Sequence, residues 1–245
     1  MDHSEYRRTV SGSRKAVLMI HGIVGTPRHF DGLLPAVPES WSVRNILLDG
    51  HGGQPEDFSR SSMKKWEAQV ETCLQELCEV NDQVVVVAHS MGTLLTIQAL
   101  RRFPRISGLI LLNVPLYPRL HPVMIPRSLK FCFGKLDPDD PVESGFAAAA
   151  GIVPTPQLWR YLGFLPRYLE LFQLCRQTRP LIADIAIPCH VFQSRTDELV
   201  SSRSDRFFWN HPVVQYTRLE ESGHFTYTPR DLQVIQKAIT AFLQP

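Results

Sequence analysis

A serine between an apolar run and a helical pattern gives the strongest chemical signal of the sequence. Ser90 stands in the pentapeptide AHSMG, directly after the four valines at 84–87. A residue at so sharp a strand-to-helix turn is crowded, and the small residues Ala88 and Gly92, two positions to either side, relieve the crowding. The turn presents the hydroxyl at a helix N-terminus, where free N–H groups favour negative charge. The pattern predicts a nucleophilic serine; a serine that only caps the helix is the alternative.

A histidine at a strand end could activate this hydroxyl, because a serine is a weak nucleophile without a base. His224 lies in ESGHF, just after the last of the predicted strands, where parallel sheets place their sites. It is therefore the predicted base. Other histidines fit structural roles or lack supporting neighbours: His190 is inside a strand pattern, His211 ends a helical pattern, and His3 and His29 stand alone.

The base in turn needs a carboxylate that orients its ring. Asp197 lies in SRTDELV, immediately after the fifth predicted strand, and is the predicted acid. The adjacent Glu198 should point elsewhere, and either carboxylate could instead be an ordinary turn residue. The chain order Ser90, Asp197, His224 is the order that accompanies this type of strand–turn–helix serine.

Acyl transfer also requires two N–H donors for the oxygen that becomes negatively charged. The amide of Met91, the residue after the serine, is one predicted donor. The second should come from a loop after an earlier strand, and the glycine-rich HGIVGT at 21–26 lets the backbone approach a ligand. We predict the Ile23 amide as this donor, with His21 bracing the loop and taking no acid or base role.

Six β-branched or apolar runs supply the strands that must position these residues. They cover residues 15–20, 41–48, 84–88, 109–112, 187–192 and 213–219. Four of them are apolar almost without interruption, as strands buried on both faces are, which indicates a parallel sheet covered by helices. The helical patterns between and after the strands cover residues 63–80, 91–103, 203–209 and 232–243. This alternation predicts a mostly parallel central sheet in a doubly wound α/β fold.

One segment breaks the alternation of strand and helix. Nine of the 19 prolines lie between positions 115 and 166, and proline cannot serve in a central strand. The same stretch is rich in large apolar residues such as Phe131, Trp159 and Phe164. We interpret residues 116–180 as a mostly helical insertion over one end of the sheet, within a single domain of residues 1–245. An ordinary irregular helical part of the core is the alternative.

Composition excludes several classes of protein. With 44% hydrophobic and 20% charged residues, the chain is not disordered as a whole. The net charge of +2 gives no reason to expect nucleic acid or an anionic membrane as the main partner. No apolar run reaches the roughly 18 residues that span a bilayer, and the start lacks the apolar core of a signal peptide. Five cysteines without a CxxC or Cys/His cluster favour a reducing, cytoplasmic location and no structural zinc.

Four segments together resemble the α/β-hydrolase family: HGIVG, AHSMG, TDELV and SGH. They span positions 21 to 224, and the likeness is greatest to the small carboxylesterase and monoacylglycerol lipase branch. By this resemblance Ser90, Asp197 and His224 match the catalytic triad, and Ile23 and Met91 match the two oxyanion positions. The loop DGHGG at 49–53 is similar to a GHG loop of this branch, in which the histidine is structural.

The resemblance implies an α/β-hydrolase fold with a small helical cap inserted before the acid strand, where residues 116–180 lie. It implies a serine hydrolase for a small-molecule ester, acting through an acyl-enzyme with no metal or other cofactor. Ala88 replaces the usual first glycine, and only 14 residues precede Lys15, so the antiparallel strands that usually open the fold must be short or incomplete. The insertion is small for a lipase of long-chain triacylglycerols, so we expect esters of short to medium acyl chains. A serine at position 90 disfavours relatives with an aspartate nucleophile.

Three other functions stay open on the residues alone. The first is hydrolysis of monoacylglycerols. The second is hydrolysis of thioesters, amides or carbon–carbon bonds by the same triad, which neither fold nor triad separates from ester hydrolysis. The third is a ligand receptor that retains the triad, with the apolar insertion changing shape around the ligand. The oligomeric state is left open as well.

Overall fold

Seven strands form one sheet through the middle of the molecule. The computed structural model describes residues 3–244; Met1, Asp2 and Pro245, which fall within the domain predicted over residues 1–245, lie outside the described residues. The strands are β1 (Tyr6–Arg8), β2 (Lys15–Ile20), β3 (Ser42–Ile46), β4 (Gln83–His89), β5 (Ile106–Leu112), β6 (Cys189–Ser194) and β7 (Val214–Leu219). Their order is β1-β3-β2-β4-β5-β6-β7, and of these seven strands β1 alone runs antiparallel to its neighbour. The predicted mostly parallel sheet is confirmed, and its opening antiparallel part is one strand of three residues.

Strand β4 lies at the centre of the sheet because its sequence QVVVVAH can be buried on both faces. Alternate valines of residues 84–87 enter the two hydrophobic cores on opposite sides of the sheet. The strand pairs with β2, where Ile20 is opposite Ala88, and with β5, where His89 is opposite Leu112. The carboxyl ends of these three strands therefore reach the same edge, and the loops that follow them meet there.

Within residues 3–244, seven α-helices cover the two faces of the sheet and its carboxyl edge. They are α1 (Pro55–Arg60), α2 (Met63–Val80), α3 (Met91–Ala99), α4 (Met124–Cys132), α5 (Pro141–Ala149), α6 (Phe164–Thr178) and α7 (Pro229–Phe242). Helix α2 has the predicted bounds, and its start is fixed by Ser62, whose hydroxyl accepts a hydrogen bond from the Lys65 amide. Among residues 3–244, no helix combines the length and the apolar character needed to cross a membrane.

Several predicted boundaries move by a few residues. The predicted strand 187–192 is found at Cys189–Ser194. It begins later because Pro188 has no amide hydrogen to donate to a neighbouring strand. It ends later because the polar residues Gln193 and Ser194 still pair with β7. The predicted helix 91–103 ends at Ala99. Tighter turns follow up to Pro104, in which backbone amides donate hydrogen bonds to the carbonyl three residues earlier. The predicted helix 203–209 is a 3₁₀ helix, Ser202–Phe207.

The 116–180 segment lies between β5 and β6 and is mostly helical. It contains α4, α5 and α6, the 3₁₀ helix Leu158–Tyr161 and the start of the 3₁₀ helix Arg179–Asp184. Helix α6 packs against α1, α2 and α3, so one end of the segment is tied to the main core. An isolated antiparallel bridge between Pro118 and Val200 ties the other end to the loop after β6.

Candidate active site

The predicted nucleophile lies at a strained turn between β4 and α3. Ser90 has φ 51° and ψ −122°, a left-handed conformation that is uncommon for a residue with a side chain. Its amide donates to the Leu112 carbonyl across the sheet, at 2.9 Å, which holds the strained backbone in place. A side chain at Gly92 would collide with the Ile20 carbonyl oxygen, so the glycine allows α3 to start close against β2. The turn predicted from the small residues around Ser90 is therefore present.

The predicted acid and base form a buried pair. His224 Nδ1 lies 2.8 Å from Asp197 Oδ2, and both side chains are 3% exposed. The other carboxylate oxygen of Asp197 accepts the amides of Leu199 and Val200, each at 2.7 Å. Because Nδ1–H donates to the carboxylate, a neutral His224 ring has its unprotonated nitrogen at Nε2, the atom that a general base uses.

A cavity of about 530 Å³ joins the predicted nucleophile and base. Ser90 and His224 both line it, as does Ile23, whereas Asp197 lies behind the His224 ring and Met91 is buried in the core. Much of the remaining wall is apolar and comes from the 116–180 segment, including Met124, Phe131, Phe146, Tyr161, Phe164 and Leu171. The arrangement suits a ligand with an apolar chain and one polar reacting group near Ser90.

The loop after β2 approaches Ser90 closely. A Cβ added at Gly22 would lie 2.8 Å from the Ser90 Cβ and 3.3 Å from its Oγ, so this position requires glycine. Among residues 3–244, the amides of Ile23 and Met91 donate no hydrogen bond, which leaves both predicted donors free for a ligand oxygen. This is the pattern that an oxyanion site requires, two free amides beside the nucleophile.

Two buried histidines brace that loop. His21 Nε2 accepts the Leu48 amide at 3.0 Å, and its Nδ1–H donates to the Gly22 carbonyl at 2.8 Å. His51 Nε2 accepts the Val24 amide at 3.1 Å. Burial holds the pKa of His21 well below its ordinary value and lowers that of His51 to about 4, so both rings are neutral. The bracing contacts predicted for His21 are present, and His51 shares that role.

Two further histidines lie at the site, although sequence reasoning assigned them no role. His89 Nε2–H donates to the His224 carbonyl at 3.0 Å, and its ring stacks on His29 at 3.8 Å between centroids. Burial lowers the pKa of His29 to about 3 and that of His89 well below its ordinary value. Nothing near His29 in the sequence signals this stacking; the position of His89, next to the nucleophile, was the available signal. Across residues 3–244, no group of three or more His, Cys, Asp or Glu side chains is placed to hold a metal ion.

The Glu198 side chain does not contact the His224 ring, but it contacts the His224 backbone, which the sequence did not predict. Its carboxylate accepts the backbone amide of His224 at 2.8 Å. The same carboxylate pairs with Arg127 of α4 at 3.2 Å. The loops after β6 and β7 contact each other, since the Thr196 hydroxyl donates to the Ser222 carbonyl at 2.7 Å. Asp197 therefore reaches the side chain of His224, and its neighbour Glu198 reaches the backbone.

The remaining histidines considered at the sequence level lie away from the cavity. His190 is buried within β6, as predicted, and contacts the Thr217 hydroxyl at 2.8 Å. His211 donates to the Ile182 carbonyl at 2.9 Å. His3 contacts the Thr26 hydroxyl at 3.2 Å. None of these three side chains lines the cavity around Ser90.

Comparison with known proteins gives one family match over most of the chain. The sequence model of the α/β hydrolase family matches residues 17–236. A thermostable monoacylglycerol lipase of Bacillus sp. (strain H-257) is 28% identical, over 92% of this chain and 89% of the relative. A carboxylesterase of Bacillus subtilis (strain 168) is 22% identical, over 96% of this chain and 95% of the relative. Among solved structures, one from work on two metagenome-derived lipolytic enzymes, LipS and LipT, is similar to this chain with a TM-score of 0.74. The two chains are 23% identical, and the superposition covers 98% of this chain and 97% of the other.

Proposed function

We propose that this chain, which belongs to the α/β hydrolase family, is an esterase whose nucleophile is Ser90. One observation carries the proposal: the buried Asp197–His224 pair and the strained Ser90 meet at the same cavity. An imidazole paired with a carboxylate and a serine that lines the same cavity are the groups that acyl transfer requires. The esterase and lipase names of the relatives support the same reaction class.

In the proposed reaction, Ser90 Oγ attacks the acyl carbon of the ester while His224 Nε2 takes the hydroxyl proton. The carbon–oxygen bond to the alcohol then breaks, and His224 returns the proton to the leaving alcohol. A water molecule, deprotonated by the same nitrogen, attacks the acyl-enzyme and releases the acid and the free serine. Asp197 keeps the ring oriented and stabilises the imidazolium that forms in each step.

The amides of Ile23 and Met91 would bind the oxyanion of the two tetrahedral intermediates. The closeness of Gly22 to Ser90 and the absence of other acceptors for these amides within residues 3–244 support this assignment. Such donors stabilise charge that develops only in the transition state, and the loss of one typically costs about 10²–10³-fold in kcat.

The substrate we propose is an ester with a short to medium acyl chain. The apolar wall from the 116–180 segment acts as the cap over the acyl group. A volume of about 530 Å³ is within the range for one small ligand, which favours a single acyl chain over the several long chains of a triacylglycerol. Monoacylglycerols are the second candidate, favoured by the relative from Bacillus sp. (strain H-257), a monoacylglycerol lipase.

Labelling with a fluorophosphonate, followed by peptide mapping, tests the nucleophile. The label should attach to the peptide with Ser90 and be absent in Ser90→Ala. Ser128→Ala is the matched control, because Ser128 is another cavity serine and its loss should leave labelling intact. Attachment elsewhere, or none in a folded wild-type protein, would contradict the assignment.

A further inference from the structure

A buried ion pair links helix α4 to the backbone of the proposed base. Arg127 lies on α4, and its guanidinium contacts Glu198 Oε1 at 3.2 Å. The second oxygen, Glu198 Oε2, accepts the His224 amide at 2.8 Å. The two charged side chains are only 12% and 14% exposed. A carboxylate withdrawn from water in this way is held firmly, since it needs both partners to offset the loss of hydration.

The fit around the Glu198 carboxylate is close on the His224 side as well. A Cβ added at Gly223 would lie 2.9 Å from Glu198 Oε2, so the carboxylate rests directly on the backbone that precedes His224. His89 Nε2 donates to the His224 carbonyl, and Asn113 Nδ2 donates to the same carbonyl at 3.5 Å and to the Gly223 carbonyl at 3.4 Å. The carbonyls of the proposed base and its neighbour are therefore held by core residues, whereas the contact at the His224 amide depends on Glu198.

Helix α4 also contacts the space that the acyl group would fill. Met124, Ser128 and Phe131, at spacings of four and three residues, line the cavity from one face of the helix. Arg127 contacts the sulfur of Met124 at 3.6 Å. The residues of the cavity wall and the Arg127 contact with Glu198 thus belong to one short helix, and a shift of this helix would move both.

We propose that Arg127 and Glu198 are positioning residues that couple the seating of α4 to the placement of His224. The inference rests on the proposed esterase function and adds to it a series of contacts that links the bound acyl group to the base, His224. An acyl chain that packs against Met124 and Phe131 holds α4 in place, Arg127 fixes Glu198, and Glu198 fixes the His224 amide. Binding energy from the acyl chain then appears in kcat as well as in KM, because it serves the geometry of the reacting groups.

Steady-state kinetics of Arg127→Met and Glu198→Gln test the coupling. Arg127→Met removes the charge and keeps the aliphatic stem. Glu198→Gln keeps an oxygen for the His224 amide and loses the ion pair, and it serves equally if the arginine variant does not fold. We expect each to lower kcat for p-nitrophenyl hexanoate by about tenfold, equivalent to roughly 1.4 kcal/mol of barrier, with KM little changed. The double variant should be no slower than the slower single, since both break one linkage.

Two controls separate positioning from general damage to α4. Lys130→Met breaks the ion pair with Glu143, which lies within the 116–180 segment, and should leave kcat near the wild-type value. Arg127→Lys restores the charge and should recover much of the lost rate. Wild-type kcat should also rise from p-nitrophenyl acetate to hexanoate, and this rise should shrink in Arg127→Met.

The outcomes distinguish this inference from the function on which it rests. If the wild type hydrolyses esters and labels at Ser90, but both variants keep full kcat, the coupling is wrong and the esterase function stands. Additive losses in the double variant, or an equal loss in Lys130→Met, would also overturn the coupling. A wild type with neither label nor ester turnover would overturn the proposed function itself.

Discussion

At the scale of single residues, His224 is held at three points. Asp197 holds its ring, Glu198 its amide, and His89 and Asn113 its carbonyl. The sequence was enough to propose Ser90, Asp197 and His224, because each follows a strand in a short motif. The sequence did not predict the contact of Glu198 with the His224 backbone, because that contact depends on how the loops after β6 and β7 pack together.

Replacing Asp197 should have far more effect than replacing its neighbour. We expect Asp197→Asn to lower kcat by about 10⁴-fold, because the amide favours the wrong tautomer of His224. Glu198→Gln should cost about tenfold, as expected for loss of a positioning contact. The measurement is kcat for one p-nitrophenyl ester with purified variants. Asp184→Asn, at an exposed pair with Arg101, is the control, and a larger loss in the Glu198 variant would reverse the assignment of the acid.

At the scale of elements, the turn between β4 and α3 could be predicted from the sequence, whereas the close approach of the loop after β2 to that turn was less predictable. Small residues at 88 and 92 indicated the turn, and the Ile20 carbonyl, which lies where a side chain at position 92 would go, explains why Gly92 must be small. The need for glycine at position 22 arises from a contact between loops of different strands. Local composition suggested only that this loop was flexible enough to approach a ligand.

Substitution at Gly22 should impair the reaction while the fold survives. In Gly22→Ala, the new methyl group would meet the Ser90 side chain, so the loop with the Ile23 amide must move away. We expect kcat to fall by about 10²-fold or more, as for loss of an oxyanion donor. Gly32→Ala is the matched control, because its nearest neighbour is the movable Leu232 side chain. Activity within a few-fold of wild type in Gly22→Ala would argue against an oxyanion site in this loop.

The cap elements should set the preferred chain length. Each methylene buried on the apolar wall is worth about 0.8 kcal/mol, or roughly fourfold in affinity. The ratio kcat/KM for p-nitrophenyl esters should therefore rise from acetate to a short or medium chain and then fall. Phe131→Ala, in the cavity wall, should flatten the rise, whereas Leu129→Ala, exposed on the same helix, should not. A flat wild-type series, or a maximum at palmitate, would contradict the proposed acyl site.

At the scale of the whole molecule, buried histidines make the interior sensitive to acid. Six predicted strands and the helical 116–180 segment followed from periodicity and proline content, since these are local properties. The burial of His21, His51 and His89 and the partial burial of His29 did not, because they result from loops of several strands packing together. The same loops build the site.

Acid should therefore destabilise the fold before carboxylates titrate. Burial lowers the pKa of His29 to about 3 and that of His51 to about 4, while unfolded histidines titrate near 6.5. The unfolded state thus binds more protons below pH 6.5, and each such group removes roughly 1 kcal/mol of stability per pH unit. The free energy of unfolding in urea should fall steeply from pH 7 to 5.5. His51→Gln should reduce that slope, and a free energy that is constant across this range would contradict the prediction.

The strained turn at Ser90 also has a consequence for the order of events during folding. Its backbone is held by β5 and approached by the loop after β2, and His89 beside it contacts a residue 135 positions away in the chain. Contacts so distant in sequence form late, because the loops that close them carry the largest entropy cost. If Ser90 is the nucleophile that we propose, an incompletely folded chain has the serine without the groups that activate it. The proposed hydrolytic activity then requires that both halves of the sheet have assembled.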